Sequence, residues 1–338
     1  MSDKLRIGIV GVGRIGAQRA REVAHSPDTV LAAVHDADER RARRLAEEYG
    51  CDVKRSWEAL VTAADVDAVV VATPNQWLAP IALRALNAHK HVLCEKPLAL
   101  NAALAQALAE CAARNGTRLK TGFNHRHHPA LQKAHALARS GQIGRLLFIR
   151  CRYGHGGRAG YEKEWRADPG QSGGGELVDQ GIHAFDLFRW FLGEFSEVYA
   201  VLARAFWPVA VEDNAFCLLR TESGQVASLH ASWTQWKNLF SFEVFGEDGY
   251  LIVEGLGGSY GRERLVVGRR PAEFGVPEET VTEYGQEDCS WAAEWREFVA
   301  AIREGRRPLG DGEDGWASLR LVEAAYESAR QGGPVSLR

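Results

Sequence analysis

The feature that most constrains the fold is a glycine-rich turn near the start of the chain. The segment Gly11-Val12-Gly13-Arg14-Ile15-Gly16 follows a predicted strand over residues 5–10 and opens a predicted helix over residues 14–23. Glycines let the backbone approach a pyrophosphate closely, and the N-terminus of the helix favours its negative charge. The turn therefore predicts the first strand and helix of a dinucleotide-binding fold. The residues predicted to bind the cofactor here are Gly11, Gly13, Arg14, Ile15 and Gly16.

An acidic residue farther along the chain indicates which dinucleotide is bound. Asp36 comes 20 residues after Gly16, just beyond a second predicted strand over residues 29–34. A carboxylate at this place accepts hydrogen bonds from the adenosine ribose and repels a 2′-phosphate, so we predict NAD, with NADP less favoured. Arginines on the next predicted helix, residues 39–48, leave NADP open, although they can also pair with glutamates on a solvated helix face. These arginines are Arg40, Arg41, Arg43 and Arg44.

Strands and helices alternate in the first third of the chain. Up to residue 122 this alternation predicts an α/β fold with a doubly wound parallel sheet of the Rossmann type. The remaining predicted elements of this part are strands over residues 68–72, 91–94 and 118–122 and helices over residues 79–88 and 102–114.

Beyond residue 123 the pattern changes to successive strands joined by short links. Such links favour antiparallel pairing, so this part predicts an α+β domain with a mostly antiparallel sheet. We assign residues 1–122 to an NAD-binding Rossmann domain and residues 123–338 to a domain for substrate binding and oligomerisation. The predicted strands here cover residues 146–153, 197–206, 213–221, 225–236, 239–246 and 249–254, and the predicted helices cover residues 129–140, 290–304 and 315–330.

Composition and charge exclude several classes of partner. The chain of 338 residues carries 41 Lys and Arg against 44 Asp and Glu, which offers no electrostatic basis for binding nucleic acid or anionic lipid. Its apolar runs are far shorter than the roughly 18 residues that a membrane span needs. No secretory signal is visible at the start of the sequence. We predict a cytoplasmic protein, without nucleic-acid or membrane partners, that acts on a small molecule.

The cysteines and histidines give no metal pattern. The six cysteines are widely spaced, with no Cys-x-x-Cys pair, which indicates reduced and mostly buried thiols. His125, His127 and His128 form a local histidine cluster, but they lack the Cys or carboxylate neighbours that usually complete a metal site. We predict no metal.

Two further segments carry groups suited to oxidising an alcohol. Cys94-Glu95-Lys96-Pro97 follows a predicted strand, at the carboxyl edge of the sheet where open α/β folds bind ligands. Asp179 and His183 lie four residues apart, on one face of a helix if a helix begins near Asp179. A histidine can take a hydroxyl proton and an ammonium group can stabilise the alkoxide. Taken singly, a surface lysine, a helix cap and a buried histidine are equally ordinary interpretations.

As a set, these motifs resemble the Gfo/Idh/MocA oxidoreductase family, whose namesakes include glucose-fructose oxidoreductase and inositol dehydrogenase. The resemblance runs from the glycine turn through Glu95-Lys96-Pro97 to Gly173-Gly174-Gly175, Asp179 and His183, and it covers nearly the whole chain. It implies that Lys96, Asp179 and His183 are catalytic. It also implies cofactor contacts at Thr73, Pro74, Asn75, Glu95, Lys96, Asn124, Trp165 and Arg166.

Two positions depart from the family pattern. Leu78 stands where the family often has histidine, which puts one cofactor contact in doubt. His89 stands where the family often has glycine, and it must adopt a helix-ending conformation that glycine accommodates more easily.

The second predicted domain offers groups that suit a sugar. Trp207, Trp233 and Trp236 can face a sugar ring, or they can fill the layer between sheet and helices or a subunit interface. Cationic loop residues, Lys163 among them, can bind an anionic substituent of the substrate or merely hold their loop. Asp186 either supports the site or lies on the outer face of its helix. The predicted substrate-binding residues are Lys96, Arg126, His155, Arg158, Tyr161, Asp179 and His183.

These interpretations predict an NAD-dependent dehydrogenase or reductase that transfers a hydride between nicotinamide and a secondary hydroxyl of a sugar, cyclitol or sugar derivative. Two alternatives remain open at this stage, a glycosidase that retains its NAD and a non-catalytic NAD-binding regulator. The resemblance also implies a homodimer or homotetramer.

Overall fold

The computed structural model describes residues 4–337, and the chain folds into two compact units. The first unit holds the residues up to Asn124 together with Trp291–Leu319, and the second holds His125–Ser290 together with the residues from Arg320 onward. The sequence predicts one boundary near residue 123 and a single domain beyond it. The structure differs because a later stretch of chain returns to the first unit.

The first unit contains a parallel sheet of six strands with the order β3-β2-β1-β4-β5-β6. This arrangement confirms the predicted doubly wound α/β fold. Its strands are β1 Leu5–Val10, β2 Thr29–His35, β3 Asp52–Val53, β4 Ala68–Val71, β5 His91–Cys94 and β6 Leu119–Thr121. Its helices before β6 are α1 Arg14–His25, α2 Glu39–Tyr49, α3 Trp57–Val61, α4 Asn75–Asn87 and α5 Ala102–Arg114.

The sheet of the first unit is enclosed on both faces. Every residue of β4 is buried, as expected of a parallel strand covered by helices on both sides. Trp295 and Phe298, from a helix late in the chain, pack into the same core as Ile7 and Leu93. This apolar packing explains why residues 291–319 belong to the first unit.

Helix α4 begins earlier than predicted. The sequence places its start at residue 79, whereas the structure starts it at Asn75, directly after Pro74. A Thr-Pro-Asn sequence is typical of a turn, but the fixed φ of Pro74 is also compatible with a helix N-cap. Pro80 lies inside the helix, where it removes one backbone hydrogen bond without ending it.

The second unit contains a sheet of nine strands with the order β14-β13-β12-β11-β7-β10-β9-β8-β15. Only the pair β7 and β10 is parallel among the described strands of this sheet, which confirms a mostly antiparallel sheet. The strands are β7 Leu146–Gly154, β8 Phe195–Ala203, β9 Asn214–Thr221, β10 Val226–Ser232, β11 Leu239–Gly246, β12 Gly249–Glu254, β13 Arg264–Arg269, β14 Glu278–Glu283 and β15 Val335–Ser336. The helices from residue 125 onward are α6 Pro129–Arg139, α7 Pro169–Ser172, α8 Ile182–Leu192, α9 Ser290–Glu304 and α10 Gly312–Gln331.

The strands β10, β13, β14 and β15 of this sheet differ from the sequence prediction, and the two-residue β15 was not predicted. Strand β10 ends at Ser232 rather than at residue 236, because Ser232 Oγ accepts a hydrogen bond from the backbone N–H of Thr234 and turns the chain. The strands β13 and β14 were not predicted. All residues of β14 are exposed, so it has no alternating apolar pattern from which a strand could be predicted.

Within residues 4–337, no helix combines the length and the apolar character that a membrane crossing needs.

Candidate active site

The glycine turn has the geometry that a bound pyrophosphate needs. Gly11 has a φ of +86°, and a Cβ there would lie 2.6 Å from the carbonyl oxygen of Ala72. A Cβ on Gly16 would overlap the carbonyl oxygen of Gly11. By contrast, a Cβ on Gly13 would meet no atom within 4 Å, so open space lies at the N-terminus of α1. Two glycines thus allow tight packing, and the third leaves room for a ligand.

Asp36 lies against the glycine turn. Its Oδ2 accepts a hydrogen bond of 2.7 Å from the backbone N–H of Val12, and its Oδ1 accepts one of 2.8 Å from Asp38. Each carboxylate oxygen has a second lone pair, so the side chain can still accept hydrogen bonds from a ribose. The carboxylate is held in place before any ligand binds.

The arginines after Asp36 are engaged on their own helix. Arg43 donates to Glu39 at 2.6 Å, and Arg40 and Arg41 lie 3.7 and 3.4 Å from Asp38. Their side chains are largely exposed. This arrangement corresponds to the solvated helix face that the sequence offers as the alternative to a 2′-phosphate site.

Three strand ends bring the predicted cofactor residues to one edge of the sheet. Val10 pairs with Val71, and Val71 pairs with Cys94, so the residues that follow β1, β4 and β5 lie side by side. The glycine turn, Thr73 and Lys96 therefore share the carboxyl edge of the sheet, where parallel α/β sheets bind ligands.

Thr73 carries a second indication of a bound polar group. Its Oγ1 is buried and makes no hydrogen bond within the described chain, although most buried polar atoms have a partner. Pro74 caps α4, and Asn75, the first residue of α4, is buried. An unfilled hydrogen bond at this edge, together with the open glycine turn and Asp36, fits a bound dinucleotide.

Glu95 is anchored from inside the first unit. Its Oε1 accepts hydrogen bonds from Nε and Nη2 of Arg19 at 2.8 and 2.6 Å, and Arg19 Nη1 also donates to Glu294 at 2.5 Å. Burial lowers the pKa of Arg19, but Glu294 and Glu95 raise it more, so the guanidinium stays charged. The next residue, Lys96, is partly exposed. The network therefore fixes the chain just before the predicted catalytic lysine.

Arg19 was not predicted as a site residue from the sequence, although its position carried a signal. Arg19 lies three residues after Gly16 and four before Val23, on the buried face of α1. A charged side chain at such spacing on an apolar helix face predicts a buried partner of opposite charge.

The predicted Asp179 lies on a widened helical turn, directly before the α-helix that carries His183. Residues 177–181 form a π-helical turn that leads into α8, so the α-helix begins at Ile182 rather than near Asp179. Such turns are rare in proteins overall, and those that occur often lie at functional sites. Gly175 makes room for it, because a Cβ there would overlap the carbonyl oxygen of Glu212.

Asp179 is paired with an arginine. Its Oδ2 accepts a hydrogen bond of 3.1 Å from Nε of Arg166, and the same carboxylate raises the pKa of Arg166. Arg166 also stacks over Trp165, with 4.5 Å from its guanidinium carbon to the ring centroid. The resemblance implies cofactor contacts for Trp165 and Arg166, and these remain predictions. The structure adds that Arg166 forms an ion pair with the predicted catalytic aspartate.

His183 is buried and stacks on a histidine that the sequence analysis considered only as a metal ligand. The ring centroids of His125 and His183 are 4.0 Å apart, with 24° between the ring planes. His125 Nε2 lies 3.0 Å from Tyr153 Oη. Its position between the predicted site residues Asn124 and Arg126 was the available signal.

The other histidines of that segment have structural neighbours. Nδ1 of His128 lies 3.0 Å from Glu263, whose other oxygen accepts from the backbone N–H of Ala130 at the start of α6. His127 and Asn124 are buried. Among residues 4–337, no three His, Cys, Asp or Glu side chains cluster in a way that could hold a metal ion.

Arg126 lies in the interior rather than on an open surface. It donates two hydrogen bonds, of 2.8 and 2.6 Å, to the fully buried carboxylate of Asp186. Asp186 is thus not on the outer face of α8. The substrate contact predicted for Arg126 stays a prediction, and the bidentate pair indicates a positioning role.

The loop after β7 places its predicted residues around one buried tyrosine. Tyr161 is 1% exposed, and burial followed by Asp179 and Glu176 raises its pKa well above the usual value. Arg158 lies over the Tyr161 ring and pairs with Glu164 at 2.8 and 2.6 Å. His155 packs against the same ring. The predicted substrate contacts of His155, Arg158 and Tyr161 remain predictions.

The three tryptophans fall into different environments. Trp233 is fully buried against Tyr161, and Trp207 donates its indole N–H to the carbonyl oxygen of Trp233. Trp236 is exposed, with a φ of +57°, in the loop beyond β10. Trp233 is therefore an interior residue, whereas Trp236 lies at the surface.

The two departures from the family pattern also have structural counterparts. Leu78 is fully buried on α4, where it contributes to the core. His89 has a φ of +58°, the left-handed conformation expected at this helix end.

Sequence models of one family match both parts of the chain. The model described as an oxidoreductase family with an NAD-binding Rossmann fold matches residues 5–123. The model of the GFO/IDH/MocA C-terminal domain matches residues 131–252.

Relatives of this family cover the chain almost completely. Inositol 2-dehydrogenase of Rhizobium meliloti (strain 1021) is 30% identical over 351 residues, covering 98% of this chain and 99% of the relative. Myo-inositol 2-dehydrogenase of Thermotoga maritima is 28% identical, covering 98% of each chain. The solved structure of levoglucosan dehydrogenase in complex with NADH and L-sorbose has a TM-score of 0.90 at 25% identity and covers 99% of each chain. With an NAD-binding Rossmann fold followed by this C-terminal domain, the chain belongs to the Gfo/Idh/MocA family of oxidoreductases.

Proposed function

We propose that this protein is an NAD-dependent dehydrogenase that acts on a secondary hydroxyl of a sugar or cyclitol. Similar proteins are an inositol 2-dehydrogenase and a levoglucosan dehydrogenase with NADH bound, which favours this class over a redox glycosidase or a regulator. The observation that carries the proposal is the buried His183 four residues after the arginine-paired Asp179, in a chain with an NAD-binding fold.

In the oxidation direction the chain's residues handle a proton and a developing charge. A bound NAD, held by the glycine turn and Asp36, would supply the acceptor for the hydride of the carbon that carries the hydroxyl. His183 takes the hydroxyl proton, and Asp179 stabilises the imidazolium that forms. The ammonium group of Lys96 polarises the hydroxyl oxygen as it becomes a carbonyl. The products are a ketone or lactone, NADH and a protonated His183.

The test is the absorbance of NADH on mixing the protein and NAD with inositols, aldoses, anhydrosugars and sugar phosphates. We expect turnover of one class of substrate and loss of turnover by at least 100-fold in Lys96→Ala and His183→Asn. Lys90→Ala is a matched control. Lys90 lies directly before β5, at the opposite end of the strand from Lys96, and its ammonium group donates to the carbonyl oxygen of Val66. Release of the aglycone from a glycoside without net formation of NADH would contradict the dehydrogenase and support the redox glycosidase.

We also propose that the protein is a homo-oligomer. One face of the second sheet presents a row of exposed apolar side chains on neighbouring strands, an unusual surface for a monomer. They include Tyr199, Val201, Phe216, Leu218 and Val226. Light scattering after gel filtration should give a mass of two or four chains, and Leu218→Glu should reduce it. A single-chain mass for the unmodified protein would contradict the proposal.

We propose a cytoplasmic location on the basis of the cysteines. All six are free thiols, four of them buried, as suits a reducing compartment. Fractionation of the native host should recover the protein with cytoplasmic markers, and recovery with a secreted fraction would contradict this.

A further inference from the structure

The stacked pair of His125 and His183 is more than a packing contact. Both side chains are nearly fully buried, at 4% and 5% exposure, and their rings lie face to face at 4.0 Å. Two positive charges at this separation repel strongly where burial keeps the local dielectric constant low. The pair therefore accepts one proton far more readily than two.

Neighbouring groups hold His125 in this position. Its Nε2 lies 3.0 Å from Tyr153 Oη, and its ring meets the edges of His128 and Phe240 at 5.6 and 5.8 Å. Burial raises the pKa of Tyr153 well above its usual value, so the phenol keeps its proton at working pH. Tyr153 is in turn hydrogen-bonded to Tyr260. His125 is thus held by neighbours other than His183.

Two carboxylates on the helical segment that carries His183 are paired with arginines. The Asp186 carboxylate is bound by Arg126, and the Asp179 carboxylate is bound by Arg166. Glu176 is a buried carboxylate that interacts with Tyr153, the phenol next to His125. A second proton would still place two charged rings in contact.

We propose that His125 is a positioning residue for His183, which rests on the proposed function in that His183 is the base. His125 orients the imidazole plane by stacking. It also shares the single proton of the pair, so that His183 remains a competent base at lower pH than an isolated histidine would. A pair of this kind titrates in two steps that belong to both rings.

The first test reads the pair without any substrate. Histidine labelled with ¹³C at Cε1 is titrated by NMR, and His183→Asn identifies the His183 signal. We expect His183 to titrate in two steps at least one pH unit apart in the unmodified protein and in one step in His125→Phe. A single step that is identical in both proteins would overturn the proposal, whether or not a substrate has been found.

The second test separates orientation from charge by two substitutions. His125→Phe keeps a stacked ring without a proton site, so the acid limb of kcat/KM should move up by about one pH unit while the plateau kcat stays within threefold. His125→Ala also removes the stack, so the plateau kcat should fall at least tenfold with a smaller change in KM. Equal losses in both variants with an unmoved acid limb would indicate a merely structural residue.

Two further variants guard against misinterpretation. His135→Phe is the matched control, since His135 is also a stacked histidine, on Trp190 at 3.8 Å. This substitution should leave the pH profile of kcat/KM unchanged. Tyr153→Phe leaves both imidazoles in place, removes the bond to Nε2 of His125 and should shift the two titration steps; it serves if the His125 variants do not fold. Absent turnover with an intact two-step titration would contradict the proposed function alone, and normal turnover with one-step titration would contradict the pairing alone.

Discussion

Two arginine-bound carboxylates belong to the proposed chemistry, and they differ in their access to water. Glu95 is bound by Arg19, whose side chain is 1% exposed and is shared with the fully buried Glu294. Asp179 is bound by Arg166 with side-chain exposures of 17% and 26%. The first cluster is interior scaffolding, and the second is partly open. On the proposed function, we infer that the enclosed pair supplies rigidity and that the partly open pair serves the reaction.

The sharpest way to break this comparison is to remove each carboxylate in turn. Asp179→Asn should lower kcat by about 100- to 10,000-fold, because the imidazolium loses its counter-charge, and should leave the free energy of unfolding nearly unchanged. Glu95→Gln should do the reverse, with a clear loss of stability and a smaller loss of kcat. Steady-state kinetics and urea denaturation on both variants check this. Equal changes in kcat and in the free energy of unfolding for the two variants would contradict the division between a structural and a reactive carboxylate.

The next largest effect concerns the buried arginine. Arg19→Met leaves Glu95 and Glu294 without their shared cation, so we expect a loss of about 3–5 kcal/mol in the free energy of unfolding. The matched control is Arg6→Met, whose pair with Asp65 is roughly half exposed on both sides and should cost at most about 1 kcal/mol. A cost for Arg19→Met no greater than the control would show that the cluster is not interior scaffolding.

The open pair should respond in the opposite manner. Arg166→Met is expected to change the free energy of unfolding by no more than about 1 kcal/mol, because solvent screens the pair. It should lower kcat/KM by about tenfold, a transition-state effect of about 1.4 kcal/mol. Both are measured on the same preparation. A loss in the free energy of unfolding larger than the loss in transition-state stabilisation would show that the pair of Arg166 and Asp179 is structural, like that of Arg19 and Glu95.

The smallest expected effect is the pH dependence of a partly buried histidine. Burial lowers the pKa of His135 to about 4. An unfolded histidine binds its proton near pH 6.5, so the stability present above that pH is lost progressively as the pH falls towards 4. After allowance for solvent screening, we expect a loss of about 1 kcal/mol between pH 7 and pH 4.5. Urea denaturation at both pH values should show a smaller loss in the free energy of unfolding for His135→Phe than for the unmodified protein. An equal loss in both proteins would mean that other groups cause it.

The sequence predicted the fold of the first unit better than its limits. Strands β1, β2 and β5 and helix α5 follow local apolar patterns, and each was predicted within two residues. The return of residues 291–319 to the first unit was not predicted, because only the core shows where Trp295 and Phe298 pack. Strand β14 could not be predicted, because its exposed residues show no apolar alternation and its strand conformation depends on pairing with β13.

The candidate site divides in the same way. Glycines at fixed spacing, Asp36 and the segment Glu95-Lys96-Pro97 could be identified from sequence, because their chemistry depends on residues close together in the chain. The roles of Arg126 and Arg166 could not, since both arginines suit an anionic ligand as well as an internal carboxylate. Only the structure distinguishes these partners, through the bonds to Asp186 and Asp179.

By itself, the sequence predicted a dinucleotide site on a parallel sheet and, through its resemblance to a family, a class of enzymes that oxidise alcohols. Turns, caps and short motifs require only neighbouring residues, so local chemistry is sufficient for them. The tertiary structure decided that Arg19 joins Glu95 and Glu294, separated from it by 76 and 275 residues, and that His125 stacks on His183. These contacts arise because buried charges and rings must find partners wherever the chain packs, and no spacing in the sequence encodes that choice.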